Sequence, residues 1–580
     1  MASSAPTDHQ RYPGLPASDF LYSLDQTPWP APNKPHYSAL PPAIAPIPTA
    51  ENEDWSSFIG KYYEGSILQF GVASTAAALA TAIEHRSDYP ELTDEDFTHL
   101  LCEGLYSKYL MPITDSVRKF FPEDVVDEDV YSYWKSDFTS MRVVRKLYPG
   151  EAAAASIVLM RRRKDDTEFN YEIVALMLQV WNPARNDFDY SDVFRPGDGE
   201  AWKVARYFVL QGAIHRINLI DHPAVHFPAD TINALTKSVL PKTNLILRVL
   251  QPHMWLSLPV DDAVLNGARS IINPNTWYPW CPFVAKGSEV RNLLPFCWMG
   301  SEYYAKPQSP PAPYVDPYFA DHTKAYPAFR FSPTPADIPS HYGEFLRRYF
   351  EPIRAFTGGV VDHLSDQEWR EAGFWADAIA PHIPGHPTGA DLIGADGNSR
   401  NKDLLADLLA HFIWNAAVVH SSDHESLHEM YESMHDVAGT LYRSAMPVPF
   451  ILRVKPPLKR DYVREAVPVS ESELHLVERM ERWLEHLMHN TPLSWPMDNM
   501  SSHLADQLFY KPHNSLCLAE VGVAPLGGDG NRAYLGFDTP ELSALVDRFH
   551  ADLHALDAAL RRNPKQHVVA LDVMACSVQY

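Results

Sequence analysis

The sequence predicts a mainly α-helical protein with one small β-hairpin. Six segments repeat apolar residues at helical spacing: 200–221, 229–256, 340–357, 401–429, 470–489 and 540–562. The runs AAAASIVLM and NYEIVALMLQVW, around residues 153–181, are strand-like and joined by RRRKDDTEF. Two such runs with a polar connection favour a hairpin, whose basic tip we interpret as solvent-exposed, with an anion site as the alternative.

Capping residues support several of these helices. Thr93 with Asp96 and Ser470 with Glu473 have the spacing of a capping box, and Thr539 before Pro540 is typical of a helix start. The glycine-rich stretch from Gly527 lacks a phosphate-binding motif and indicates a plain turn.

Length, composition and charge exclude several classes of protein. With 580 residues, 46% of them apolar, the chain can bury a large core. The 73 Asp and Glu residues exceed the 49 Lys and Arg residues, giving a formal charge of −24, so neither nucleic acid nor an anionic membrane surface is an expected partner. Five widely spaced cysteines without a C-x-x-C motif indicate reduced thiols. We find no secretory signal or membrane-spanning run and expect a cytoplasmic protein.

The chain divides into two parts by composition. Residues 1–50 are rich in Pro, Ser and Ala and predict an extended arm, whereas residues 51–580 predict a single helical domain. Residues 301–340 and 381–400 are turn-rich connections of the kind that often border a functional site.

Two histidines end the apolar helix that begins near residue 401. His420 and His424 are four residues apart and therefore lie on one face, one turn from each other. Two imidazoles so placed can bind one metal ion, and His428 continues the row as a third candidate. With 26 histidines in the chain, one such pair also arises by chance.

A second pair makes a metal site the better interpretation. His222 and His226 are again four apart and again follow an apolar helix. Four nitrogen ligands from two packed helices suit a first-row transition metal such as iron or manganese. A zinc hydrolase is the competing interpretation, although neither pair has the H-E-x-x-H form.

The histidine segments resemble the lipoxygenase family. LLADLLAHFIWNAAVVHSSDH is similar to the family's Trp-bearing helix that leads into H-x-x-x-H or H-x-x-x-N, with His420 and His424 at the ligand positions. RVLQPH at 248–253 matches the family's L-L-x-P-H landmark, and SHYGEFLRRYFEPIRAF followed by LSDQEW is similar to the helix before the second ligand helix. The resemblance covers roughly residues 200–430 and the C-terminus.

The resemblance implies a large helical catalytic domain and a metal-binding C-terminus. Lipoxygenases use the main-chain carboxylate of the last residue as a metal ligand, and the ending ACSVQY would supply that of Tyr580. A terminal carboxylate has a pKa of about 3.5 and is anionic at neutral pH. The implied ligand set is therefore His222, His226, His420, His424 and Tyr580, around non-heme iron or, alternatively, manganese.

The implied activity is that of a dioxygenase. Such an enzyme removes hydrogen from a methylene between two double bonds of a polyunsaturated fatty acid or similar polyene, and O2 adds to give a hydroperoxide. An oxidase of a secondary metabolite and a degenerate, metal-free lipid-binding relative are the alternatives. Arg248 is a candidate partner for a substrate carboxylate, or else part of a surface ion pair. Asp221, Asn415 and Asp423 are candidates for orienting the ligand rings, with capping or surface roles as alternatives.

The sequence departs from the family pattern in three respects. His222 and His226 are four residues apart, whereas the family spacing is five, and Pro223 and Pro228 predict a kinked or broken helix there, with His215 as an alternative ligand. The last residue is Tyr580 rather than Ile. Only 221 residues precede His222, and their pattern does not indicate the N-terminal lipid-binding β-barrel of many family members.

Overall fold

The computed structural model describes residues 24–25, 43–44, 51–56, 93–259, 338–423, 454–474, 517–522 and 534–578, apart from positions 146, 148, 381, 382, 384, 385, 535, 538 and 567. Several predicted features lie outside these ranges, namely His424, His428, Tyr580, the turn from Gly527, the connection 301–337 and most of the predicted helix 470–489.

The predicted hairpin is the centre of an antiparallel sheet. The strands are β1 (Leu24–Asp25), β2 (Ala43–Ile44), β3 (Met111–Pro112), β4 (Tyr131–Asp137), β5 (Ala155–Arg163), β6 (Tyr171–Asn182) and β7 (Asp187–Tyr190). Strands β3 to β7 form one five-stranded sheet in chain order, and β5 pairs with β6 as the hairpin. Side chains alternate along β5, so its two faces pack differently. Ile157 and Leu159 pack against Val117 and Phe121, whereas Val158, on the opposite face, packs in the main core.

The basic hairpin tip is solvated and internally paired. Arg161 donates to Glu172 across the hairpin (2.8 Å), and Arg163 donates to Asp165 (2.9 Å). Both carboxylates are largely exposed, which agrees with a solvent-exposed tip rather than an anion site.

Helices make up most of the remaining described structure. They are α1 (Asp94–Cys102), α2 (Asp115–Arg118), α3 (Gly199–Arg216), α4 (Pro223–Val239), α5 (Leu245–Leu250), α6 (His341–Val361), α7 (Asp366–Ile379), α8 (Gly389–Ile393), α9 (Lys402–Trp414) and α10 (Pro540–Leu560). Residues 51–56 are also helical. A mainly α architecture is therefore confirmed.

Helix ends follow local chemistry. The Thr93 capping box is present, with Asp96 N–H donating to the Thr93 hydroxyl and Thr93 N–H to the Asp96 carboxylate (both 3.0 Å). The prediction of one helix over 229–256 is wrong, because α4 ends at Val239 and α5 begins after Asn244. Pro241 stands in that break, and the Asn244 side chain caps α5 by accepting from Ile246 N–H (2.8 Å).

The core lies where α6 packs between α9 and α10. Trp414 in α9 donates its indole N–H to the carbonyl oxygen of Leu346 (2.9 Å), and Phe356 stacks on Phe549 of α10 (ring centroids 4.5 Å). The continuous helix Lys402–Asp423 is long and apolar enough to span a membrane, but 89% of its most apolar window is buried inside the protein. It is therefore the central core helix of this fold.

The N-terminal residues that the structure describes lie beside α4. β1 and β2 pair with each other, and Glu51 forms a buried ion pair with Lys237 near the end of α4. The predicted division into an arm (1–50) and one domain (51–580) stays a prediction.

Candidate metal centre

Both ligand helices widen into a π-turn immediately before a histidine. The first π-turn, Ile217–Asp221, leads into His222, whose N–H donates to the carbonyl oxygen of Ile217 five residues earlier (2.8 Å). The second π-turn, Asn415–Val419, leads into His420. A π-turn adds a residue to one helical turn and is frequent at functional sites. In both segments, therefore, a π-turn sets the position of the histidine that follows it.

The helix is interrupted at the first histidine pair. The first π-turn ends at Asp221, His222 is a turn residue, and α4 begins at Pro223, where a missing N–H is tolerated. The expected break at Pro223 is therefore observed, whereas Pro228 lies inside α4, which runs on to Val239. His222 and His226 stay one turn apart, with His226 N–H donating to the His222 carbonyl oxygen (3.2 Å).

Three predicted ligands converge on one point. The Nε2 atom of His226 lies 2.9 Å from Nε2 of His222 and 3.0 Å from Nε2 of His420. The ligand atoms of all three histidines lie within 4.8 Å of one another. His420 is 0% exposed and His226 is 6% exposed, whereas His222 is half-buried. The fold thus brings two distant helices together through their imidazole nitrogens.

Hydrogen bonding among the rings does not account for this arrangement. An imidazole nitrogen has a single in-plane position, which holds either one hydrogen or one lone pair. His226 Nε2 faces two other nitrogens at once, so a single hydrogen or lone pair cannot be well directed at both. A cation between the rings would accept one lone pair from each, and the three residues therefore fit a metal ion.

The alternative ligand His215 does not belong to the cluster. Its Nδ1 bonds to the carbonyl oxygen of Gln211 one turn earlier in α3 (2.8 Å). Complete burial lowers the pKa of His215 to about 4, because charging the ring without water is unfavourable. His215 is a neutral core residue.

The three polar residues predicted to orient the rings are all buried. Asp423 forms an ion pair with Lys108, Asp221 accepts from the hydroxyl of Tyr109 (2.6 Å), and the Asn415 side chain donates to the carbonyl oxygen of His411 (2.8 Å). Burial excludes a surface role, and Asn415 is the C-cap residue of α9, so its bond to His411 is a capping contact. A role in orienting the ligand rings stays a prediction. Nothing in the sequence singles out Lys108 or Tyr109, because each is more than 100 residues from its partner.

Arg248, on α5, has structural partners outside that helix. Its Nε donates to the carbonyl oxygen of Lys242 (3.0 Å), and its guanidinium lies against Gly536, where an added Cβ would come within 2.0 Å of Nη1. Gly536 has a φ of +76°, a backbone conformation that favours glycine. A substrate-binding role for Arg248 stays a prediction.

The described end of the chain is fixed between the RVLQPH landmark and the second ligand helix. His253 bonds through Nδ1 to the carbonyl oxygen of Cys576, and Ser577 donates to the carbonyl oxygen of Trp255 (2.7 and 3.0 Å). The N–H of Ala575 donates to the hydroxyl of Ser421, the residue after His420 (3.0 Å). These contacts bring residues 575–577 beside Ser421, and the described chain ends at residue 578.

His253 has a fixed neutral tautomer. Because a carbonyl oxygen can only accept, Nδ1 carries the hydrogen, and Nε2 accepts from the hydroxyl of Tyr534 (2.7 Å). Burial lowers the pKa of His253 to about 4, which keeps the ring neutral at physiological pH.

No protein-family model matches the chain, and no curated protein matches it in sequence. Solved structures do match. The manganese lipoxygenase of Gaeumannomyces graminis aligns with a TM-score of 0.53 and 14% identity, over 93% of this chain and 95% of that chain. A lipoxygenase of Fusarium graminearum aligns with a TM-score of 0.51 and 14% identity, over 84% of this chain and 80% of that one.

The fold is that of the lipoxygenases. A third structure with this fold is a LOX variant in complex with arachidonate, with a TM-score of 0.55 and 13% identity, over 96% of this chain and 79% of that chain. At these identities the likeness establishes the lipoxygenase-like fold alone.

Proposed function

We propose that this lipoxygenase-like protein is a non-heme iron or manganese dioxygenase acting on a polyunsaturated fatty acid or a similar polyene. The convergence of His222, His226 and His420 through their Nε2 atoms carries the proposal. His424 and the Tyr580 carboxylate complete the proposed ligand set. A cytoplasmic location is part of the same proposal.

The substrate class is supported by chemistry and by the structural neighbours. A metal bound here supplies the one-electron oxidant that removal of a hydrogen atom from a methylene between two double bonds requires. The carbon radical then combines with O2 and regains a hydrogen, so that substrate plus O2 becomes one hydroperoxide. One neighbour is a manganese enzyme by name, and another holds arachidonate.

The ligands stand on buried segments of the core. Val225, Val418 and Val419 are their neighbours in sequence and are completely buried, as is His420 itself. Exclusion of water from a site protects a carbon radical from side reactions.

Oxygen uptake with the metal-loaded protein tests the activity. We expect arachidonate to consume oxygen and to give a conjugated-diene hydroperoxide, and a saturated fatty acid of equal length to give neither. The His420→Ala variant should be inactive. Metal binding without oxygen uptake for any polyene would contradict the proposed activity while leaving the metal site intact.

A further inference from the structure

The 3₁₀ turn Leu105–Tyr109 contacts both ligand helices. Lys108 extends its ammonium group to the carboxylate of Asp423, and both side chains are 0% exposed. Asp423 follows His420 by three residues. The neighbouring Tyr109 donates its hydroxyl to Asp221 (2.6 Å), the residue directly before His222. Two consecutive residues of one turn therefore bind carboxylates close to two ligands that are far apart in sequence.

A buried arginine supports the same turn from the other side. Arg216 lies 3.6 Å from the Asp221 carboxylate, covers the ring of Tyr109 at 4.2 Å and donates to the carbonyl oxygen of Asp137 at the end of β4 (3.1 Å). Tyr109, Arg216 and Asp221 are each less than 5% exposed. The contacts link the sheet, the 3₁₀ turn and both ligand helices in one buried polar network.

We propose that Lys108 and Tyr109 form a positioning brace for the metal centre. The inference rests on the proposed function. Lys108 holds the helix that carries His420, and Tyr109 holds the π-turn that presents His222. Both are positioning residues, since they act through Asp423 and Asp221 rather than by touching the metal.

Energetics favour this role over a purely stabilising one. Burying a charged pair costs desolvation energy that its attraction often only offsets, and apolar side chains of equal size usually stabilise a fold as well. A buried ion pair is, however, directional, and ligand atoms need placement within about 0.5 Å for a metal site to function. The pairing also occupies Asp221 and Asp423, neither of which belongs to the cluster of potential ligand atoms among the described residues.

A charge-balanced double variant separates positioning from electrostatics. Lys108→Met with Asp423→Leu removes one positive and one negative charge, so the net charge near the metal is unchanged. The matched control is Lys237→Met with Glu51→Leu, which removes another buried Lys–carboxylate pair. Lys237 lies on α4, 11 residues beyond His226. Tyr109→Phe is a milder variant that removes a single hydroxyl and no charge.

The readouts are the dissociation constant for Mn(II), measured by calorimetric titration, and the zero-field splitting of bound Mn(II) in electron paramagnetic resonance. We expect the brace variant to bind Mn(II) about tenfold or more weakly with a changed splitting, and Tyr109→Phe to shift both in the same direction. The control pair should change the Mn(II) dissociation constant less than twofold.

Equal Mn(II) affinity in the brace variant, the control and the wild type would overturn the brace. If the brace variant fails to fold, Tyr109→Phe decides alone, and an unchanged affinity and splitting in that variant would overturn the brace. A wild-type protein that binds neither Mn(II) nor Fe(II) would instead refute the proposed metal centre, and the brace with it.

Discussion

The Nε2 atoms of His226 and His420 lie 3.0 Å apart, although 194 residues separate the two histidines in the chain. This contact joins α4 to the helix Lys402–Asp423 at the point where both carry predicted ligands. A π-turn precedes a ligand histidine on each side, which makes the two halves of the site locally alike. The site is thus formed by tertiary packing of two similar helix segments.

Adjacent serines on the ligand helix offer a matched test of the C-terminal contact. Ser421 accepts from the N–H of Ala575, whereas Ser422 donates within its own helix to Val418 (2.7 Å), and both serines are completely buried. Ser421→Ala should lower the free energy of unfolding by about 1–3 kcal/mol, because a buried N–H loses its acceptor. We also expect weaker metal binding, since the C-terminal segment is no longer held beside His420.

Ser422→Ala should leave metal affinity unchanged. Chemical denaturation and metal titration of both variants check these expectations. Equal metal affinity in the two variants would show that the Ser421 contact does not support the site.

The C-terminal carboxylate can be removed without changing any side chain. Extending the chain by a short Gly-Ser segment after Tyr580 converts the terminal carboxylate into a peptide bond and removes the proposed anionic ligand. We expect metal affinity to fall at least tenfold, as measured by titration with Mn(II). The same extension at the N-terminus is the control. Full affinity in the C-terminally extended protein would exclude Tyr580 as a ligand.

Buried neutral histidines predict a loss of stability in acid. Burial lowers the pKa of His215 and His253 to about 4 and that of His411 to about 3, against about 6.5 in an unfolded chain. Between these values the unfolded chain binds more protons, so the free energy of unfolding decreases as the pH falls. Each residue adds at most about 1.4 kcal/mol per pH unit to the slope of the free energy of unfolding against pH. Above about pH 7 the ring is neutral in both states, and the slope vanishes.

Urea unfolding between about pH 7 and about pH 4 measures this slope. His253→Gln should make the decrease shallower, whereas the control His363→Gln, at an exposed position, should leave it unchanged. An identical slope in wild type and His253→Gln would contradict the assignment of His253 as neutral.

Local sequence patterns predicted the elements that depend on local chemistry. The β5–β6 hairpin, the Thr93 capping box and the apolar stripe of the helix that begins at Pro540 all appear as predicted. Spacing along the helices also gave His222, His226 and His420, because residues four apart on a helix share a face whatever the helix packs against.

Other features depend on contacts that no local pattern reports. The π-turns at 217–221 and 415–419 have sequences compatible with an ordinary α-helix. The pairing of Lys108 with Asp423 joins residues 315 apart, and a lysine that is fully buried is unusual enough that sequence alone places it at the surface. The break between α4 and α5 could have been predicted, because Pro241 and the polar residues up to Asn244 interrupt the apolar pattern.

Metal content tests the central claim most directly. The protein should be purified without a C-terminal tag and measured by elemental mass spectrometry beside a His226→Ala, His420→Ala double variant and a His215→Ala control. We predict about one iron or manganese ion per chain in the wild type and in the control, and none in the double variant. A wild-type protein without iron or manganese, or a double variant that retains them, would contradict the proposed metal centre.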